Sequence, residues 1–350
     1  MTAPLPAAPY DAVLVLSFGG PEQPEDVMPF LRNVTRGRNV PDERLAEVAT
    51  QYEQFGGRSP INDQCRDLIG ALKTELAANG PDLPIYWGNR NWQPFVEDTV
   101  ATMATDGIAN ALVFTTSAFG SYSGCRQYRQ DLQRAAEAAG PNAPRLQKLR
   151  LFYNHPGFIE PLAQNLVGAI GADQPNPDTH RVVFTAHSIP ATMAAACSYE
   201  TQLNEAAGLT MAAAGYDGLP FDLVYQSRSG PPHIPWLTPD INDHLAKLSA
   251  DGIGAVTIVP IGFVSDHMEV MFDLDTQAAE TAADLGLELT RVPTVGIAPR
   301  FITMIRELIA EQTSATPRLH LGDDGPWPDD CPAADHCMPA GGFGPPRSKA

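Results

Sequence analysis

Aliphatic and β-branched runs of four to six residues recur along the chain. Each is followed by small or polar residues and then by a stretch with helical spacing of its apolar positions. Residues 12–16, 84–87, 111–115 and 149–153 form one set of runs, and 181–185, 222–226, 255–260 and 288–292 a second. Between them, 42–55, 65–78, 96–106 and 126–139 repeat apolar residues three and four apart, as helices with one buried face do. Strands alternating with helices predict right-handed βαβ crossovers and parallel sheets. Four units precede residue 154 and four follow it, so the pattern predicts two doubly wound α/β domains, 9–150 and 151–312, with a cleft between them. Residues 313–350 break the pattern: seven Pro, five Gly and no long apolar run predict an irregular C-terminal tail.

Composition then narrows the class. The 350 residues are 43% hydrophobic and 18% charged, the balance of a folded chain with a sizeable core. No apolar run reaches the roughly 18 residues of a membrane span, so no transmembrane segment is expected. The N-terminal stretch lacks the basic flank and long apolar centre of an export signal, which points to a cytoplasmic protein. Forty-one acidic residues against 23 basic ones give a net charge of −18, which argues against nucleic acid or anionic lipid as the main partner. Five scattered cysteines are not the framework of a disulfide-stapled secreted chain.

Open parallel sheets bind ligands beyond the carboxyl ends of their strands, so the residues after each run carry the chemistry. The first run ends in Ser17-Phe18-Gly19-Gly20-Pro21, a glycine turn without the fingerprint of a nucleotide site. Arg36 and Arg38 make a local positive cluster in an acidic chain, suited to a carboxylate or phosphate, or else a solvated loop. Arg58 and Ser59 follow a glycine pair close to Tyr52, and residues 116–128, ending at Tyr128, are dense in hydroxyl and aromatic groups. His187 stands just past a strand end, as a base, a metal ligand or a hydrogen-bonded structural histidine. If the segment after 255–260 is helical, Glu269 and Asp273 share a face, and such a carboxylate pair either sits in water or serves a cation.

Together, S-F-G-G-P, F-G-G-R-S-P-I-N, G-N-R-N-W, F-T-A-H-S-I-P, Y-Q-S-R-S-G-P and P-I-G-F-V-S-D-H-M-E-V resemble the ferrochelatases, in motif order, over about residues 10–312. The resemblance implies two Rossmann-like domains of the class II chelatase kind and a reaction that inserts Fe(II) into a porphyrin, releasing two protons. The chain looks most similar to the actinobacterial and Gram-positive branch, which makes Fe-coproporphyrin III from coproporphyrin III in haem biosynthesis. A protoporphyrin IX ferrochelatase, a cobalt or nickel chelatase and a non-catalytic tetrapyrrole-binding protein remain open alternatives. On matching positions, His187 and Glu269 serve iron and the pyrrole protons, while Ser59, Tyr128, Tyr52, Phe18 and Arg36 meet the porphyrin. Phe18, Trp92, Trp236 and Met271 are candidate apolar walls. The implied partners are coproporphyrin III, Fe(II) and, transiently, neighbouring haem-pathway enzymes.

Two departures from the family matter. Many relatives carry tyrosine where this chain has Phe18, so any oxygen ligand to product iron must come from elsewhere. Some members hold a [2Fe–2S] cluster on four ligands, three of them tail cysteines and one on a helix whose matching position is Pro161 here. In this chain a cluster requires Cys331 and Cys337 together with two others, from Cys125 and Cys197. Cys65, on an apolar helical face, reads as core, and the acidic line running through Asp273 breaks at Gln277.

Overall fold

A computed structural model describes residues 9–38, 40–171, 173–314, 316–331 and 337. Two four-stranded parallel sheets form the frame. The first contains β1 (Ala12–Ser17), β2 (Ile85–Asn89), β3 (Asn110–Thr115) and β4 (Arg145–Lys148) in the order β2-β1-β3-β4. The second contains β5 (His180–His187), β6 (Phe221–Gln226), β7 (Ala255–Val259) and β8 (Glu288–Arg291) in the order β6-β5-β7-β8. The second sheet thus repeats the topology of the first. Every residue of β1 is buried, as expected for a central parallel strand covered by helices on both faces.

The strand order decides where a ligand fits. From β1 the chain crosses to one neighbour and then returns past it to the other, and β5 does the same in the second sheet. Such a reversal leaves a crevice beyond the strand's carboxyl end. Ser17-Phe18 leaves β1 at that point, and His187-Ser188 leaves β5 at the equivalent one.

One expected strand is corrected. Residues 149–153 form no strand; the fourth strand is the polar Arg145–Lys148, paired only with β3. An edge strand with one neighbour needs no apolar run. The apolar run that comes after it is a connector buried for another reason, with Leu149, Leu151, Phe152 and Tyr153 all 3% exposed or less beneath the junction of the two halves.

The tail is irregular, as expected, but its described part is pinned to the body. After the helix Pro299–Thr313, Arg150 donates to the Leu319 carbonyl at 2.8 Å, Leu321 N–H to that of Asn154 at 2.8 Å, and the Asn154 amide to that of Gly325 at 2.9 Å. Trp327 then packs edge-on to Tyr153. Residues 332–336 and 338–350 of the expected tail lie outside the described residues.

Candidate functional site

The first half supplies an aromatic wall. Gly19 turns the chain after β1 with φ of +80°, and a Cβ there would come within 2.8 Å of the Asn89 Cβ, so only glycine lets this loop lie on the one after β2. The turn leaves the Phe18 ring 37% exposed. Phe18 meets Phe30 edge-on, and Phe30 meets both Tyr52 and Trp92 in the same way. Met268 and Phe272 from the second half pack into this cluster, which brings the Glu269 segment against Tyr52. Burial drives the Tyr52 phenol pKa far up, and the Glu269 carboxylate adds to the shift. Trp236 is placed elsewhere: it lies against Gly230 and bridges to Pro190 in the loop after His187. Met271 is half-buried beside Glu269.

Hydroxyl and guanidinium groups border that wall. Ser59 is buried, its N–H donating to the Pro21 carbonyl at 2.8 Å, and a Cβ on Gly20 would come within 2.9 Å of the Ser59 Cβ. Tyr128 is also buried, and burial raises its phenol pKa against the pull of Arg90, whose guanidinium lies 4.4 Å from the ring centroid. Arg90 ion-pairs with buried Asp131 and also sits over Phe18, 5.9 Å from its centroid. Burial and the nearby Arg90 charge both lower the Arg38 pKa. Arg36 is exposed and donates to Asn33 Oδ1 at 2.5 Å, while Arg58 pairs with Asp63 at the surface.

The second half supplies the titratable groups of the candidate site. His187 ends β5, and its Nδ1 lies 2.5 Å from the Ser188 carbonyl oxygen. That oxygen can only accept, so Nδ1 carries a proton, and in the neutral ring the lone pair is on Nε2. The Tyr199 hydroxyl donates to the His187 carbonyl at 3.1 Å. Glu269, exposed on the short helix Met268–Val270, leads into a π-helical segment, Met271–Ala278. Asp273 accepts from Gln226 Nε2 at 3.2 Å and from Ser227 Oγ. Burial raises its pKa to about 6, the Ser227 bond resists the shift and the Glu269 carboxylate adds to it. His187 and Glu269 both act electrostatically on Asp273 and on His267. The two residues singled out from the sequence therefore share one polar neighbourhood.

Four of the five cysteines meet elsewhere. Cys125, Cys197, Cys331 and Cys337 line one cavity of about 410 Å³, counted to its open side, whereas Cys65 is buried on the helix Ile61–Asn79. The Cys337 thiol donates to Cys197, which lowers the Cys197 pKa to about 7. Gln202 accepts from Gly120 N–H at 2.7 Å and leaves its Nε2 buried and unpartnered, as is Arg129 Nε; both residues line the cavity. Burial lowers the pKa of nearby Lys148, and Cys125 and Cys331 pull it back. Among the described residues no three His, Cys, Asp or Glu side chains stand close enough to chelate an ion. Pro161, the matching family position, is buried in the helix Pro156–Ile170.

Arg90, Asp131 and His267 were not singled out from the sequence. Arg90 carried a usable signal, a cation directly after β2 in an acidic chain. Asp131 and His267 gave none, because their importance lies in what packs on them.

Comparison with known proteins identifies the family and the fold. A family model described as Ferrochelatase matches residues 10–313. A coproporphyrin III ferrochelatase from Frankia alni is 51% identical, covering 97% of this chain and 89% of the relative. One from Mycolicibacterium smegmatis is 52% identical over 91% of this chain and 94% of its own, and a ferrochelatase from Rhodopirellula baltica is 50% identical over 94% of each. Among solved structures, SirB from Bacillus subtilis with Fe3+ shares the fold at 9% identity, with a TM-score of 0.52 over 87% of this chain and 96% of that one.

Proposed function

We propose, from the premise that this chain belongs to the ferrochelatase family, that it inserts Fe(II) into coproporphyrin III to give Fe-coproporphyrin III and two protons. The observation that carries the assignment of roles is the shared electrostatic neighbourhood of His187 and Glu269, with the Glu269 segment packed against the aromatic cluster of Tyr52 and Trp92. A free-base porphyrin is flat, and its central hole holds two N–H groups and two lone pairs. Metal cannot enter a flat ring easily, so the site gains rate by holding the macrocycle bent. The aromatic wall takes the ring's face. His187 Nε2, the free nitrogen of the neutral ring once Nδ1–H is committed to Ser188, accepts a pyrrole proton or ligates the incoming iron. Glu269 receives Fe(II) or the second proton, and Asp273 relays charge to the protein interior.

Coproporphyrin III carries four carboxylates, and this protein is itself strongly anionic. Local positive charge must offset both. Arg36, Arg38, Arg58 and Arg90, with the Ser59 and Tyr128 hydroxyls, supply it along one rim. Phe18 has no oxygen to offer the product iron.

We place the [2Fe–2S] cluster at the cavity lined by Cys125, Cys197, Cys331 and Cys337; among the described residues no three of these thiols stand close enough to chelate, so loading requires them to draw together. Cys125, Cys197, Cys331 and Cys337 would hold it, and when bound it would supply one-electron redox chemistry and tie the tail to the body. Five free thiols suit a reducing cytoplasm, and among the described residues no helix is long and apolar enough to cross a membrane. Handing a sparingly soluble tetrapyrrole from one site to the next favours transient contact with neighbouring haem-pathway enzymes.

Anaerobic incubation of the purified protein with Fe(II) and either coproporphyrin III or protoporphyrin IX tests the reading. Iron-dependent loss of free-base fluorescence with coproporphyrin III, faster than with protoporphyrin IX, is the expected result. The reverse preference would move the substrate assignment. Binding without turnover would reduce the protein to a carrier.

A further inference from the structure

Beside the ring-lined cleft lies a second hollow of about 630 Å³, counted to its open mouth. It sits between the carboxyl edges of the two sheets. Ser17 closes it from the end of β1, Ser265 and Asp266 from beyond β7, and Thr294 from beyond β8, while Gln64 and Asp67 of the helix Ile61–Asn79 complete the wall. Among the described residues no lysine, arginine or histidine lines it, so its polar surface is hydroxyl, amide and carboxylate oxygen with the one thiol of Cys65.

Two of those oxygens, Gln64 Oε1 and Thr294 Oγ1, are buried without a partner, and the Ser17 hydroxyl lies against the Cys65 thiol. Ser17 is 0% exposed and Thr294 4%. The Gln64 amide is held in one orientation, because its Nε2 donates to the Asp266 carbonyl at 3.0 Å. A buried polar group left open costs about 1–3 kcal/mol; the Thr294 hydroxyl can donate or accept and the Gln64 oxygen can only accept, so the hollow favours a hydrated occupant. The charge on the walls selects between plain water and a hydrated ion. Asp266 shares its carboxylate with Arg291 at 2.7 Å, and Asp67, exposed at the mouth, adds a second carboxylate. An ion with six waters takes roughly 180 Å³ at ~30 Å³ per water, well inside the hollow. Hard oxygen donors suit such an ion.

Arg90 and Arg38 lie on the side of the aromatic wall, where an anionic macrocycle belongs, whereas among the described residues no basic side chain lines the hollow. The inner wall of the hollow is continuous in sequence with the site, since Ser17 precedes Phe18 and Asp266 precedes His267. We propose that this hollow binds a hydrated divalent cation and is the inlet through which Fe(II) reaches a cleft already occupied by porphyrin. The identity of the ion rests on the ferrochelatase reading; the existence of a cation site does not.

Mn(II) is the probe, titrated by electron paramagnetic resonance into the full-length protein carrying Glu269→Gln, which silences the cleft. The expected result is one bound Mn(II), weakened about five-fold by Asp67→Asn and abolished by Thr294→Leu, which fills the hollow. In the otherwise native protein, Asp67→Asn raises the KM for Fe(II) about five-fold with kcat and the porphyrin KM unchanged. Asp67 is a surface residue, so that arm stands even if Thr294→Leu does not fold. Absence of bound Mn(II), or Mn(II) affinity and iron KM both indifferent to Asp67→Asn, overturns the inlet. A protein that binds Mn(II) here but makes no iron porphyrin overturns the ferrochelatase reading and keeps the cation site.

Discussion

Asp273→Asn is expected to stabilise the folded protein while slowing iron insertion. The carboxyl is raised from 3.8 to about 6, chiefly by burial, with the Ser227 hydroxyl resisting and Glu269 adding to the rise. A raised acid in the folded state means that ionisation opposes folding. Below pH 3.8 the group is protonated in both states and costs nothing; as pH climbs through about 6 the folded state loses stability relative to the unfolded one. The full loss, at 1.36 kcal/mol per unit, is about 3 kcal/mol above pH 7 and about half that at pH 5. Asparagine keeps the shape and cannot ionise. Urea unfolding of both proteins at pH 8 and pH 5 should therefore show a gain of about 3 kcal/mol that shrinks to about 1.5 kcal/mol. Turnover should fall in the same variant, because a site that carries a destabilising charge does so for its chemistry. A gain that does not change with pH, or a net loss at pH 8, would refute the electrostatic picture of this site.

Three further outcomes are expected from the packing. A Cβ on Gly262 would come within 2.7 Å of the Ala186 Cα, so Gly262→Ala should push the end of β5 and lower kcat with little change in porphyrin affinity, as read by fluorescence quenching. Arg90→Met leaves Asp131 paired only with the exposed Arg134; a loss of about 1–3 kcal/mol in urea unfolding and weaker coproporphyrin binding are expected. Anaerobic reconstitution should give about two iron and two sulfide per chain with visible charge-transfer bands, and Cys197→Ser should remove both; a colourless, iron-free wild-type protein would end the cluster assignment.

Most of the frame was legible because buried parallel strands announce themselves as apolar runs. The edge strand Arg145–Lys148 did not, since one neighbour and a wet flank demand no such run, and the connector 149–153 imitated a strand because burial alone makes a segment apolar. His187 and Glu269 could be named as candidates because an open parallel sheet gathers its chemistry beyond the carboxyl ends of its strands. The π-helical stretch Met271–Ala278 was invisible to a 3.6-residue period, because its hydrogen bonds skip one residue further. The meeting of Cys125, Cys197, Cys331 and Cys337 depends on how the tail is pinned across Asn154 and Tyr153, a tertiary fact that no local pattern encodes. Arg90 stood in a recognisable motif, yet its stacking on Tyr128 emerged only from the fold.

The central claim is that an imidazole lone pair at the end of β5 takes part in the metal exchange itself. His187→Ala, mixed anaerobically with coproporphyrin III and Fe(II) in a single turnover, isolates that step from binding. The account predicts native-like quenching as the porphyrin docks and then no formation of the iron product. Product forming at a rate near that of the unaltered protein would contradict it.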